Sequence, residues 1–226
     1  MTTQVLPPTT LALPALRPAR GRPRTRGQGT PQKECRSSPP VAARIHRLTR
    51  SQVADRLQEL GDLYAEASGG DPWAWNQARG AFLGHLAADA RRPGFSLLIA
   101  ETTALSGYAY GFPAGGSGPW WAGFDGHVRG GLLRRAAAER LFVVSGIVVP
   151  PRVRREYRDH VWNLARRLQR RLLADHGAAL GVALVDVRDP RTAETLRSWG
   201  WRYAGDDSLQ AVSPGPFRVL ALAPGT

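Results

Sequence analysis

The chain has 226 residues, 42% of them hydrophobic and 22% charged, so it can bury one good core and shows no apolar run near the ~20 residues a membrane-spanning helix needs. Its formal charge of +13 would suit an acidic partner such as nucleic acid or a polyphosphate, but Lys33 is the only lysine, and the arginine bias alongside abundant Ala, Gly and Pro is partly compositional. The single cysteine, Cys35, excludes an internal disulfide framework and a cysteine-based zinc site and fits a reducing, cytoplasmic setting, and the five histidines show no metal-ligand spacing.

Residues 1–40 are rich in Pro, Thr and Arg and lack periodicity, so a disordered tail is expected there, followed by one domain over 41–226. The tail carries about half of the positive surplus through Arg17, Arg20, Arg22, Arg24, Arg26, Lys33 and Arg36 against Glu34. Its apolar stretch is broken by Pro7, Pro8 and Pro14 and is followed by the arginines, the reverse of a secretory signal.

A first strand is expected over 44–48, with Thr49 as N-cap and Gln52 completing a capping box. One helix should then run to Ser68, with Val53, Leu57, Leu60 and Tyr64 on its apolar face, and a second from about Trp73 to Ala90 with Trp75, Phe82 and Leu86. Residues 95–101 and 105–112 read as a hairpin, whose Gly107, Tyr108, Ala109, Tyr110 and Gly111 alternate small and aromatic side chains. A glycine-rich excursion over 113–131 surrounds Trp120 and Trp121. Residues 141–149 form a buried, β-branched strand stopped by Pro150 and Pro151. Beyond a basic loop, Leu164, Leu168, Leu172 and Leu173 recur at helical spacing. A strand over 179–187, a helix over 190–199 capped by Asp189 with Pro190 at its first position, and a closing antiparallel pair complete the chain. This order predicts an α/β fold: a mixed, mainly antiparallel sheet flanked by helices.

The hairpin strand ending at Pro113, the Trp120-Trp121 excursion, Val149-Pro150, the helix start Leu164-Ala165-Arg166-Arg167-Leu168 and the run Ser198-Trp199-Gly200-Trp201-Arg202 together resemble the GNAT superfamily of acetyl-CoA dependent N-acetyltransferases, over roughly residues 42–223. The resemblance implies a GNAT-like sheet whose central strand parts from the next. It also implies a pantetheine arm paired with main chain at Ile147, Val148 and Val149. The family's Arg/Gln-x-x-Gly-x-Gly/Ala phosphate loop aligns with residues 158–163. Arg158 matches, whereas Val161 and Asn163 stand where the family has glycines, and Trp162 and Leu164 complete the helix start. Arg152, Arg154, Arg155 and Arg158 can supply charge-assisted phosphate contacts in place of backbone ones. Asp189 stands at a family asparagine, Gly146 at a family glutamate and Leu196 at a family tyrosine.

Acyl transfer to an amine needs a base for the ammonium proton and an acid for the leaving thiolate. Tyr157 and His160 are the candidate acids near the cofactor loop, and Glu101 and Tyr108 are candidates to face the amine. The reading is an N-acetyltransferase with acetyl-CoA as co-substrate and an amine of a small molecule or protein as acceptor; a homodimer is possible. A GNAT-fold acyl-CoA sensor or interaction module without transferase activity is the alternative, and a basic nucleic-acid-binding protein a second.

Overall fold

The computed structural model describes residues 43–68, 72–114, 138, 141–156, 163–178, 180–204 and 217–223. The expected tail and nearly all of the Trp120-Trp121 excursion lie outside these residues. The rest forms β1 (Arg44–Leu48), α1 (Arg50–Asp55), α2 (Leu57–Ser68), α3 (Pro72–Ala90), β2 (Ser96–Glu101), β3 (Leu105–Pro113), β4 (Leu141–Val148), α4 (Pro151–Glu156), α5 (Leu164–Asp175), β5 (Leu180–Asp186), α6 (Pro190–Ser198), β6 (Arg202–Tyr203) and β7 (Phe217–Leu222). The strands make one sheet in the order β1-β2-β3-β4-β5-β7-β6. Only β4 and β5 run parallel; every other neighbouring pair is antiparallel, as the predicted mixed sheet requires.

Local chemistry sets the element ends. The Thr49 hydroxyl accepts from the Gln52 N–H while Gln52 Oε1 accepts from the Thr49 N–H, the reciprocal capping box legible in sequence. The single helix expected over this region is instead two. At Arg56 the backbone leaves helical geometry (φ −104°, ψ 9°), and its guanidinium is drawn to Glu59 at 2.7 Å and to Glu101 on β2 at 2.6 Å. A second departure follows β4, where the expected loop begins as α4, with Pro151 fitting a first helical position that lacks an N–H partner anyway.

Two apolar layers sandwich the sheet. On one face, Leu164, Leu168, Leu172 and Leu173 of α5 and Ala193 and Leu196 of α6 pack with Ala109, Val144, Ile147, Ala183 and Val185. On the other, Val53, Leu60, Leu63, Phe82 and Leu86 of α1–α3 pack with Leu97, Ile99, Tyr108, Tyr110 and Val148. The small/aromatic alternation on β3 serves both. A Cβ on Gly107 would lie 2.9 Å from the Val148 carbonyl oxygen and 3.2 Å from Val149 Cγ2, so glycine lets β3 approach the end of β4, while the tyrosines fill the opposite layer.

Gln169 is fully buried on α5, where Nε2 donates to the Trp199 carbonyl at 3.0 Å and Oε1 accepts from Trp201 Nε1 at 2.9 Å. Arg166 donates to the Ser198 carbonyl at 2.8 Å, placing a cation at the C-terminal end of α6 where the helix dipole favours it. These bonds lock α5 against the α6–β6 turn and so fix the helix that stands beside β4.

Candidate functional site

The parallel pairing of β4 with β5 covers only Leu141↔Leu180, Phe142↔Gly181 and Val143↔Val182. Past that point β5 stays with β7 as far as Asp186↔Phe217, and β4 stays with β3 as far as Val148↔Tyr108, so the two strands part. The divergence has a local cause. Between Tyr110↔Gly146 and Gly111↔Val144 the register slips, leaving Ser145 without a partner on β3. A bulge of this kind bends its strand and increases its twist. At the closed end Gly181 keeps the layers tight, since a Cβ there would lie 3.0 Å from Leu173 of α5.

Ile147 and Val149 turn their side chains to the α5 layer and Val148 to the α2–α3 layer, all three buried. Alternate residues of a strand direct their N–H and C=O groups to opposite edges, so the outer half of β4 presents main chain to the split. Ser145 lies at its inner end, buried, with a hydroxyl that has no hydrogen-bond partner.

Gly146 and Tyr110 form a second feature of this region. A Cβ on Gly146 would lie 2.8 Å from Tyr110 Cζ and 3.0 Å from its hydroxyl oxygen. The tyrosine therefore occupies the space into which a side chain at 146 would project, a physical reason for glycine where the resemblance implies glutamate. Tyr110 belongs to an aromatic cluster with Phe82, Phe95 and Tyr108, and Tyr64 stacks on Phe82 with ring centroids 4.6 Å apart. Burial pushes the phenols of Tyr108 and Tyr110 well above their usual 10.0, helped by the neighbouring phenols Tyr110 and Tyr64 for Tyr108 and by Asp89 and Tyr64 for Tyr110, so both stay neutral.

The candidate residues are dispersed. Tyr108, proposed to face the amine, is fully buried and donates to the Leu60 carbonyl of α2 at 3.0 Å. Glu101 ends β2, on the same end of the sheet as Val148 but two strands away, where it meets Arg56 and lies 3.6 Å from His46 Nε2. Arg152 turns toward the α2 side, donating to Glu66 at 2.8 Å and to the Leu105 carbonyl at 3.2 Å. Arg154 and Arg155 belong to α4, with side chains outside the described residues, and Tyr157, Arg158, His160, Val161 and Trp162 are outside them altogether.

Asn163 does not adopt the left-handed backbone a glycine replacement would need. Its φ is −59°, and its side chain caps α5 by accepting from the Ala165 N–H at 3.0 Å. Leu164 opens the helix and is buried over Gly107. Asp189 caps α6, accepting from the Thr192 N–H at 3.0 Å and bonding its hydroxyl. Leu196, at the family's tyrosine position, is fully buried in the apolar layer. Among the described residues no cluster of three His, Cys, Asp or Glu could hold a metal, and no helix is long and apolar enough to cross a membrane.

Sequence reasoning passed over Ser145 and Tyr110. A signal for the first was present, because Ser145 is the one polar side chain in the run 141–149. Tyr110 carried none, since its relation to Gly146 depends on the register between β3 and β4.

No family model matches the chain, and no curated protein sequence does. Solved structures do. A protein from Pyrococcus horikoshii OT3 matches at 12% identity and a TM-score of 0.51, covering 81% of this chain and 99% of its own. A Desulfovibrio desulfuricans protein assigned to the GNAT family of acetyltransferases matches at 14% identity and 0.49, covering 81% and 100%. A mutant spermidine N-acetyltransferase from Vibrio cholerae matches at 11% identity and 0.45, covering 81% and 94%. At such identities the likeness concerns the fold alone: a seven-stranded, mostly antiparallel sheet between helical layers, opened between its two parallel strands, which is the sheet the GNAT resemblance implies.

Proposed function

We propose that the chain is an N-acetyltransferase that carries an acetyl group from acetyl-CoA to an amine of a small molecule or protein. The observation that carries this reading is the end of β4–β5 pairing at Val143↔Val182, with main chain of the outer half of β4 directed into a split lined by Ile147 and Val149. An extended amide-containing arm such as pantetheine fits it, because its amides can pair with strand main chain while its methylenes lie on apolar side chains. When bound, acetyl-CoA supplies the activated acyl group. The protein's part is to hold that group and the amine in line and to keep water out. The α5 start and Arg154, Arg155 and Arg158 of the preceding segment are the proposed phosphate contacts.

The acceptor side is the layer of α2, α3 and β3. A buried, neutral phenol is a poor base at pH 7, so neither Tyr108 nor Tyr110 takes the ammonium proton; water reaching the split from bulk does so. Titration of acetyl-CoA into the protein should produce heat and a thermal shift, and a thiol-release assay against an amine panel should report turnover. Absence of both binding signals would dismiss the reading. Arg158→Ala should weaken binding, and an unchanged affinity would remove that arginine from the site.

The second reading, an acyl-CoA sensor without transfer, is favoured by one observation: Tyr110 beside Gly146 and buried Leu196 leave neither family carboxylate nor family phenol in place. Binding of acetyl-CoA without thiol release across the panel would select it.

A further inference from the structure

We propose that the hydroxyl of Ser145 contacts the acyl group of the donor and hydrogen-bonds its carbonyl oxygen during transfer, an inference that rests on the acetyltransferase reading above. Ser145 is 1% exposed, and its Oγ has no hydrogen-bond partner. Burying a hydroxyl without a partner costs about 1–3 kcal/mol, and a serine can normally avoid that by bonding nearby backbone. Here it does not. Its backbone has no register partner on β3, because it is the bulged residue, and none on β5, because that pairing ended two residues earlier. A polar side chain in this state within an otherwise apolar strand is available to pair with a bound group that reaches it.

Its position says what. Pairing stops at Val143, so Ser145 lies at the inner end of the split, roughly 13 Å along the strand from Val149 at the usual rise per residue. An arm that enters at the α5 end and pairs along residues 147–149 brings its tip, the thioester, to the bulge. Among the described residues the other buried serine without a partner, Ser96, lies on β2, two strands from the split. The chemistry of the hydroxyl narrows the role further. With no base bonded to it, Ser145 is not activated as a nucleophile, and what it offers a ligand is its O–H.

In the reaction, the ammonium loses one proton to water and the free amine forms the C–N bond with its lone pair. The C–S bond breaks, its electron pair leaves on sulfur, and the second amine proton ends on that sulfur, giving an amide and a free thiol. Negative charge gathers on the carbonyl oxygen between these events, when a hydrogen bond from Ser145 is strongest, and the serine keeps its proton throughout.

Ser145→Ala in the full chain tests this. The unliganded variant should be as stable as wild type or more so, because the hydroxyl removed has no partner. Affinity for CoA, which has no acyl group, should be unchanged. Infrared difference spectra with carbonyl-13C acetyl-CoA should show the carbonyl stretch lowered on binding to wild type and returned toward the free value in Ser145→Ala, and turnover should fall about a hundredfold to a thousandfold. Wild type that binds acetyl-CoA while the variant has the same carbonyl frequency and turnover overturns the proposal alone. A variant whose unliganded form is clearly destabilised also overturns it, by giving the hydroxyl a structural role. Wild type that binds no acetyl-CoA overturns the acetyltransferase reading and this proposal with it.

Discussion

Gly146 and Tyr110 are coupled by space: the ring lies where a Cβ on 146 would go, with its Cζ only 2.8 Å from that point. Gly146→Ala should therefore destabilise the protein by about 1–3 kcal/mol through overpacking in a closed layer. In a Tyr110→Ala background most of that loss should vanish, which a double-mutant cycle in denaturant melts would register as a large coupling. The same tyrosines govern behaviour in alkali. Their folded pKa values lie above the unfolded value of 10.0, so the folded state holds protons that the unfolded chain releases. Stability from this source is complete below pH 10 and declines as pH rises above it. Absorbance at 295 nm should show these two phenols ionising only together with unfolding; ionisation in a protein still folded by circular dichroism would contradict their burial.

At the scale of elements, α5 is held at its N-terminus and at its middle by polar contacts of different kinds. Its N-terminus rests on the Asn163 cap, and Asn163→Ala should cost about 1 kcal/mol in thermal or chemical melts. Its middle rests on Gln169. Removing that side chain orphans the buried Trp199 carbonyl and the Trp201 indole N–H, so Gln169→Ala should cost about 1–3 kcal/mol for each group left without a partner. Elements of this kind were legible wherever one local rule decides them. The Thr49–Gln52 capping box, Asp189 with Pro190, the leucine spacing of α5 and the alternation on β3 are all short-range patterns, and each lies where it was expected. The break at Arg56 was not legible, because Glu101, which helps draw that side chain out, is forty-five positions away on another strand.

At the scale of the whole molecule, a mixed, mainly antiparallel sheet flanked by helices followed from the succession of elements, whereas the strand order did not, and the split was expected only from the family resemblance. The split arises from a register slip between β3 and β4 and from pairing that ends at Val143↔Val182, and pairing between strands leaves no mark in the residues of one strand alone. The same limit applies to Tyr108, a candidate to face the amine because of its place on a neighbouring strand, whose hydroxyl bonds the Leu60 carbonyl of α2. In the proposed function the outer half of β4 is the surface for an acyl-CoA arm. Amide hydrogen exchange with and without acetyl-CoA measures this directly. Residues 144–149 should exchange more slowly in its presence, with β1 and β2 unchanged; exchange across 144–149 that is the same with and without acetyl-CoA would contradict the claim.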